Sequence, residues 1–194
     1  AMSYGVRLSV DNYSQAAGVS NATVLSGFAD LRHDTTGAPL DPLGGHIFEI
    51  RVEPTLSVAD ANTAFVRSTA EGRIYTSFGG AAQPVTLAAR VRTGWLVAVS
   101  GDADDAPPDR RFYAGGGGSV RGYAYDSIYP HERDALGLTP GGQGLLETSV
   151  EARWRFSNGF GAAAFIDGGN AFDNWKDAAD FRWGAGIGVR YNLG

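Results

Sequence analysis

Residues 145–156 read LLETSVEARWRF, a stretch in which polar and apolar side chains alternate almost without a break. One face carries Glu147, Ser149, Glu151, Arg153 and Arg155. The other face carries Leu146, Thr148, Val150, Ala152, Trp154 and Phe156. Because successive side chains of a β-strand point to opposite faces of the sheet, this stretch predicts a strand with one polar and one apolar face.

The same two-residue period recurs through most of the chain. It predicts eight strands, at residues 4–10, 22–33, 47–58, 64–78, 85–99, 145–156, 160–172 and 181–191. Most of them exceed the roughly 5–6 residues usual in globular proteins and reach the roughly 9–11 that a membrane-spanning strand needs. The longer connections are predicted at 11–21, 34–45 and 173–180, and residues 100–142 form a far longer loop without periodicity. A loop of that length in a compact domain indicates a functional element.

The composition of the 194 residues excludes several classes of protein. The net charge of −5 argues against a nucleic-acid partner, which would select a basic surface. No run of 18 apolar residues predicts a transmembrane helix, and the absence of Cys removes disulfides and thiolate metal sites. Lys176 is the only lysine, whereas long strands with a wet outer face would normally carry many lysines there.

Alternation alone does not decide which face is wet, since a soluble lipocalin-like barrel or sandwich also alternates, with its apolar face inward. The polar face here combines Arg and Glu with Gly, which suits a crowded, charged lumen and favours a membrane barrel with its apolar face outward. The aromatic residues predicted for the two interfacial girdles are Tyr4, Phe78, Trp154, Phe156, Phe160, Phe172, Phe181 and Tyr191. The sequence therefore predicts an all-β, antiparallel up-and-down transmembrane β-barrel with one long loop.

The long loop contains a glycine-rich stretch, residues 111–123, that reads RFYAGGGGSVRGY. It resembles the signature loop of the BamA/TamA outer-membrane assembly and translocation superfamily, also called the bacterial surface antigen family. The residues that carry the resemblance are Phe112, Tyr113, Gly115, Gly116, Val120, Arg121, Gly122 and Tyr123. A second family motif, Phe-x-Asp-x-Gly, matches Phe165, Asp167 and Gly169, and residues 42–45 (PLGG) resemble the family's Pro-x-x-Gly turn. These matches span most of the chain in the family's order.

The resemblance implies a place in a longer protein. Family barrels have sixteen strands preceded by periplasmic POTRA domains. Residues 1–194 are therefore expected to be a single barrel fragment, strands seven to fourteen, without the POTRA domains, the first strands and the last two strands. The resemblance also implies that residues 100–142 are the sixth extracellular loop, folded back into the lumen.

The resemblance further implies a function as part of an outer-membrane protein that inserts or translocates β-barrel or autotransporter proteins, without catalysis, cofactor or metal. The implied location is the Gram-negative outer membrane, and the implied partners are its lipid and unfolded outer-membrane or secreted proteins. The BamA-like and TamA-like branches both stay open. The alternatives are a two-partner secretion transporter and an autonomous eight-stranded barrel with a structural or adhesive role. Open edges at strands 4–10 and 181–191 would invite self-association.

The resemblance and the alternation together predict an ion pair inside the barrel. Glu151 and Asp167 lie on the polar faces of neighbouring predicted strands. Arg121 carries a planar, permanently charged fork that suits carboxylates. We expect Arg121, at the tip of the folded-in loop, to pair with Asp167 and Glu151. From the residues alone, a solvated Arg121 is the simpler expectation.

Other chemistry is weakly supported. His33, His46 and His131 lie on separate segments without the spacing of a metal site, so no metal is predicted. An acidic cluster at residues 102–109 fits a solvated loop better than a calcium site. The alternation places no nucleophile beside a base, and an outer-membrane lipase or protease is therefore not favoured.

Overall fold

A computed structural model of the chain describes residues 2–15, 18–38, 40–58, 62–80, 83–130, 141–156 and 159–191, with side chains from Thr23 onward. These residues form eight strands, namely β1 (Met2–Gln15), β2 (Gly18–Asp34), β3 (Gly45–Val58), β4 (Thr63–Phe78), β5 (Val85–Ser100), β6 (Gly144–Arg155), β7 (Phe160–Phe172) and β8 (Arg182–Tyr191). Each strand pairs antiparallel with the next, in the order β1 to β8 of one sheet. The predicted all-β, up-and-down fold is confirmed.

Within the described residues, three short 3₁₀ helices lie in the connections, at Ala103–Asp105, Pro108–Arg110 and Trp175–Asp177. No helix in the described part of the chain is long and apolar enough to cross a membrane.

The first hairpin differs from the sequence-based expectation. A connection was predicted at residues 11–21, but the β1–β2 ladder continues until Gln15 lies opposite Gly18. The prediction was wrong because it relied on alternation. Outside the bilayer no lipid contacts the strands, so neither face of this hairpin needs apolar side chains. Its sequence is therefore polar on both faces and does not alternate, although the backbone hydrogen-bond ladder continues.

The sheet is apolar on its exposed face and polar on its covered face. Large apolar side chains that are 40–90% exposed include Leu31, Phe48, Leu56, Ile74, Val91, Val97, Val150, Ile166 and Ile187. The buried polar side chains include Ser26, Thr55, Thr86, Glu147 and Asp167. Water would favour the opposite arrangement, so this inversion identifies the apolar face as the lipid-facing one.

Aromatic side chains mark both ends of the lipid-facing surface. At one end Trp95 stacks on Trp175 with ring centroids 5.0 Å apart. Phe172, predicted to face lipid, is only 1% exposed because these two rings pack against it. Trp154 lies at the other end, ten residues along β6 from Gly144, the residue that pairs with Trp95. At about 3.4 Å per residue and a tilt of about 40°, those residues span about 26 Å, close to the ~25 Å apolar band of membrane barrels.

The sheet is open among the described residues, where β1 pairs only with β2 and β8 only with β7. The apolar core lies on the concave, lumenal side, near the end where β5 connects to β6. It contains Phe65, Leu96, Leu145 and Ala171 from the strands and Ala106, Phe112, Ala114, Val120 and Ile128 from the long connection. We call this end of the sheet the loop end and the opposite end, at residues 35–44, the turn end.

Candidate functional site

The connection between β5 and β6 folds back over the lumenal face. Phe112 and Gly142 exchange two backbone hydrogen bonds of 2.8 Å, and Ala114 and Ile128 exchange two of 2.9 and 3.0 Å. Phe112 is buried, and the guanidinium of Arg67 lies 4.2 Å from its ring centroid. These contacts hold the base of the connection in place before it reaches the middle of the lumen.

A tight reversal follows, and it requires glycine. Gly115 and Gly116 have φ of +108° and +101°, a backbone region that other residues rarely adopt. A Cβ at Gly115 would lie 2.5 Å from the carbonyl oxygen of Ala124. The Gly115 N–H donates to the Ser119 hydroxyl at 2.8 Å. This reversal turns the chain toward β6 and β7, so we call residues 112–123 the docked loop.

Arg121 is the centre of the site. Its Nε and Nη2 donate to the two oxygens of Asp167 at 2.7 and 2.9 Å, and its backbone N–H donates to Asp167 at 3.0 Å. Nη1 donates to Glu151, and the guanidinium carbon lies 3.4 Å from the Phe165 ring centroid. The hydroxyl of Ser149 donates to Asp167 at 2.6 Å. The structure thus brings Arg121 together with both carboxylates named from the sequence.

The electrostatics of this cluster favour the charged form of the arginine. The hydrogen bond from Arg121 to Asp167 raises the pKa of the guanidinium above its already high ordinary value, and the bond to Glu151 acts in the same direction. Asp167 is almost fully buried, so its charge depends on this arginine. A bidentate pair shielded from bulk water fixes position as well as charge, which an exposed pair does not.

Two glycines on the wall provide the space for the loop. A Cβ at Gly169 on β7 would lie 2.8 Å from Val120 Cγ2, and a Cβ at Gly184 on β8 would lie 2.0 Å from the Arg121 carbonyl oxygen. Val120 is fully buried there. The loop therefore contacts the two strands at positions where a side chain on the strand would block it, through the Val120 side chain at Gly169 and through the Arg121 backbone at Gly184.

The remaining residues of the predicted signature do not reach the ion pair. Tyr113 donates its hydroxyl to the carbonyl of Pro108 at 3.1 Å, near the base of the loop. Gly122 has φ of +94° and begins the return of the chain. Tyr123 is 37% exposed. These three residues shape the loop, whereas the hydrogen bonds to the side chains of β5, β6 and β7 come from residues 118–121.

Sequence reasoning missed a second anchor. Arg90 on β5 donates to the carbonyls of Gly118 and Ser119 at 2.6 and 3.1 Å. Ser119 in turn donates its hydroxyl to the fully buried Glu147, whose other oxygen lies 3.4 Å from Arg90. Alternation does place Arg90 and Glu147 on the polar face. The partners of Arg90 and Glu147 are backbone carbonyls and a hydroxyl of the loop, and no sequence pattern predicts such contacts.

The histidines and acidic residues form no metal site among the described residues, where no group of three or more possible ligands converges. The rings of His33 and His46 lie 5.3 Å apart, and His131 lies outside the described residues. In the acidic cluster, Asp102 accepts the N–H of Asp104, and Asp104 lies 3.5 Å from Arg111. These carboxylates organise the entrance to the loop.

The lipid-facing strands and the docked loop together define a transmembrane β-barrel wall with a loop folded against its lumenal face. The chain belongs to the Omp85 superfamily, whose domain matches residues 5–194. The predicted family is thereby confirmed, and it places the chain as an integral part of the Gram-negative outer membrane. The chain is similar to the outer membrane protein assembly factor BamA of Nitratidesulfovibrio vulgaris, with 29% identity over 163 residues that cover 82% of this chain and 20% of that protein. It therefore spans about a fifth of that relative's length.

Proposed function

We propose that the chain is part of an outer-membrane protein that inserts or translocates other β-barrel or secreted proteins. The observation that carries this proposal is the docking of Arg121 onto Asp167 and Glu151 in a chain of the Omp85 superfamily. The role that the name of the similar protein states, assembly of outer-membrane proteins, supports the same conclusion.

The docked loop stabilises the barrel wall from inside. Arg90 on β5, Glu151 on β6 and Asp167 on β7 all hold the loop, which therefore ties three consecutive strands together. Charge-assisted hydrogen bonds in a sheltered lumen are stronger than exposed ones. A wall secured in this way can stay folded while a sheet edge elsewhere opens to receive a substrate strand, which requires neither ATP nor a catalytic group.

The eight strands form one arc of a larger barrel in this proposal. The open edges at β1 and β8 support it, as does the chain's coverage of a fifth of the similar protein. The loop end then faces the exterior and the turn end faces the periplasm. The sequence of the complete gene tests this directly. We expect POTRA domains upstream and further strands on both sides, and a gene that encodes these strands alone would overturn the larger barrel.

A reconstitution experiment tests the function. The complete protein is placed in lipid vesicles with an unfolded outer-membrane β-barrel protein, and folding of that substrate is followed by its heat-modifiable migration in a gel. We expect the wild-type protein to accelerate folding and Arg121→Ala to lose most of the acceleration. Arg182→Ala is the matched control, because Arg182 is exposed on β8 and none of the contacts described above joins it to Asp167 or Glu151.

The possible results separate the functions. Acceleration by the wild type supports assembly of barrels. Export of a soluble substrate across the vesicle membrane, without acceleration, would instead identify a secretion transporter. An identical result for Arg121→Ala and the wild type would remove the docked loop from the mechanism.

A further inference from the structure

The turn that joins β2 to β3 reaches across the turn end of the lumen. Asp41 accepts a hydrogen bond of 2.5 Å from Nη2 of Arg155, and its other oxygen lies 3.4 Å from Arg153 and 3.6 Å from Arg190. Arg153 and Arg155 lie at the end of β6, and Arg190 lies at the end of β8. One carboxylate from the β2–β3 turn thus joins strands that are not its neighbours in the sheet.

The turn itself is fixed on the wall. Asp34 accepts the backbone N–H of Thr36 at 2.9 Å and its hydroxyl at 2.8 Å, and Ser77 on β4 donates to the carbonyl of Leu43. Pro42 is buried. Asp41 is therefore presented to the arginines from a defined position.

Two of the three arginines that contact Asp41, Arg153 and Arg190, also contact Glu151. Nε of Arg153 donates to Glu151 Oε1 at 2.7 Å, and Nη1 of Arg190 donates to the same oxygen at 3.3 Å. The other oxygen of Glu151 accepts from Arg121. Glu151 is thus shared between the turn cluster and the docked loop, with one oxygen on each side.

The network contains more arginines than carboxylates, so the loss of one carboxylate changes how the others are shared. Arg121, Arg153, Arg155 and Arg190 meet only Asp41, Glu151 and Asp167 as carboxylates within the contacts described above. Removing the charge of Asp41 leaves Arg153 and Arg190 with Glu151 as their shared anion. They then compete for it with Arg121, and like charges in a sheltered lumen repel one another.

We propose that Asp41 is a positioning residue for the docked loop, acting through Arg153 and Arg190 on Glu151 and thereby on Arg121. The turn end of the lumen and the loop that enters from the opposite end are energetically coupled through Glu151. Displacing the turn, as an anionic segment of a passing polypeptide would do, loosens the loop. Only the role of this coupling during transport rests on the proposed function. The coupling itself is measured as a change in the position of the docked loop, whatever the protein transports.

A buried reporter on the loop measures this coupling. The chain contains no Cys, and Val120 is fully buried while the loop is docked. In the complete protein, freed of any other cysteine, Val120→Cys therefore reacts with a maleimide only when the loop leaves its seat. We expect Asp41→Asn to raise the rate of labelling about 3- to 10-fold, the size of coupling typical within one partly exposed network.

Three further variants isolate the path. Asp41→Glu retains the charge and should label within about twofold of the unaltered protein. Asp30→Asn breaks another lumenal pair, in which Arg51 donates to Asp30 at 2.7 Å, and should leave the rate unchanged. Asp41→Ser removes the same charge with a smaller side chain and should raise the rate even if Asp41→Asn fails to fold, which heat-modifiable migration reports.

The decisive comparison uses Glu151→Gln. In that background Asp41→Asn should add no further increase, because the shared anion is already gone. An equal increase in both backgrounds, an unchanged rate in Asp41→Asn, or the same increase in Asp30→Asn would overturn the coupling. Loss of substrate folding with the labelling pattern intact would instead overturn the proposed function and leave the coupling in place.

Discussion

A Cβ at Gly184 would lie 2.0 Å from the carbonyl oxygen of Arg121. The loop backbone and β8 therefore touch where the strand has no side chain. The arginine reaches Asp167 only because its own backbone can lie against this glycine, so the ion pair and the glycine form one structural unit.

Gly184→Ala should destabilise the protein in lipid vesicles by about 1–3 kcal/mol, because the methyl group forces the loop backbone away from Asp167. The free energy of unfolding in urea, followed by heat-modifiable migration, provides the measurement. Gly188→Ala is the control on the same strand, since a Cβ there meets nothing within 4 Å. It should change stability by less than about 0.5 kcal/mol. Equal effects of the two substitutions would contradict the predicted contact between Gly184 and the loop backbone.

Arg121→Lys should not replace the arginine. An ammonium keeps the charge but cannot bond both oxygens of Asp167 and Glu151 from one plane, so the nearly buried Asp167 loses part of its partner set. We expect a loss of about 1–3 kcal/mol in unfolding free energy, within the range for disrupting a partly buried pair. Arg182→Lys, at an exposed position of β8, should change little. Equal stability of Arg121→Lys and the wild type would show that charge alone suffices.

Asp126, in the connection between β5 and β6, should make the stability of the protein depend on pH. Burial raises the pKa of this carboxyl, opposed by the charge of Arg92. In the pH range between the ordinary pKa and the raised one, the folded protein binds more protons than the unfolded chain, so stability falls as pH rises through that range. The unfolding midpoint measured from pH 3 to pH 7 reports this dependence.

Asp126→Asn removes the titration and retains a residue that tolerates the φ of +51° found there. It should match the wild type near pH 3 and exceed it at pH 7 by less than about 1 kcal/mol, because the site is largely solvated. A difference between the two proteins that does not vary with pH would contradict the prediction.

Val150→Arg tests the lipid-facing assignment. Val150 is 48% exposed on the apolar face of β6, near the middle of the estimated span. An arginine there should cost about 2–4 kcal/mol of folding into lipid vesicles, and the cost should fall to about 0–1 kcal/mol near an interface. Val58→Arg, at the end of β3, is the matched control. If both variants fold equally well, Val150 does not face the hydrocarbon.

The sequence predicted the strands because a membrane wall imposes opposite demands on successive side chains. Lipid selects Val150 and the lumen selects Glu151, and this repeats along β6 at every rung. The prediction failed in the polar hairpin between β1 and β2, where lipid and lumen no longer select different side chains on the two faces. The loop motif predicted the family because its glycines and Arg121 are specific in type and spacing.

The sequence by itself determined which face of each strand is polar and which residues make up the loop. The tertiary structure alone decided which of these residues meet. Arg90 holds loop carbonyls, and Asp41 reaches Arg153 and Arg155 across the lumen. The physical reason is that periodicity reports only the medium on each side of a strand. Contacts across a lumen depend on the curvature of the sheet and on the backbone path of loops, which form only when the whole wall is present.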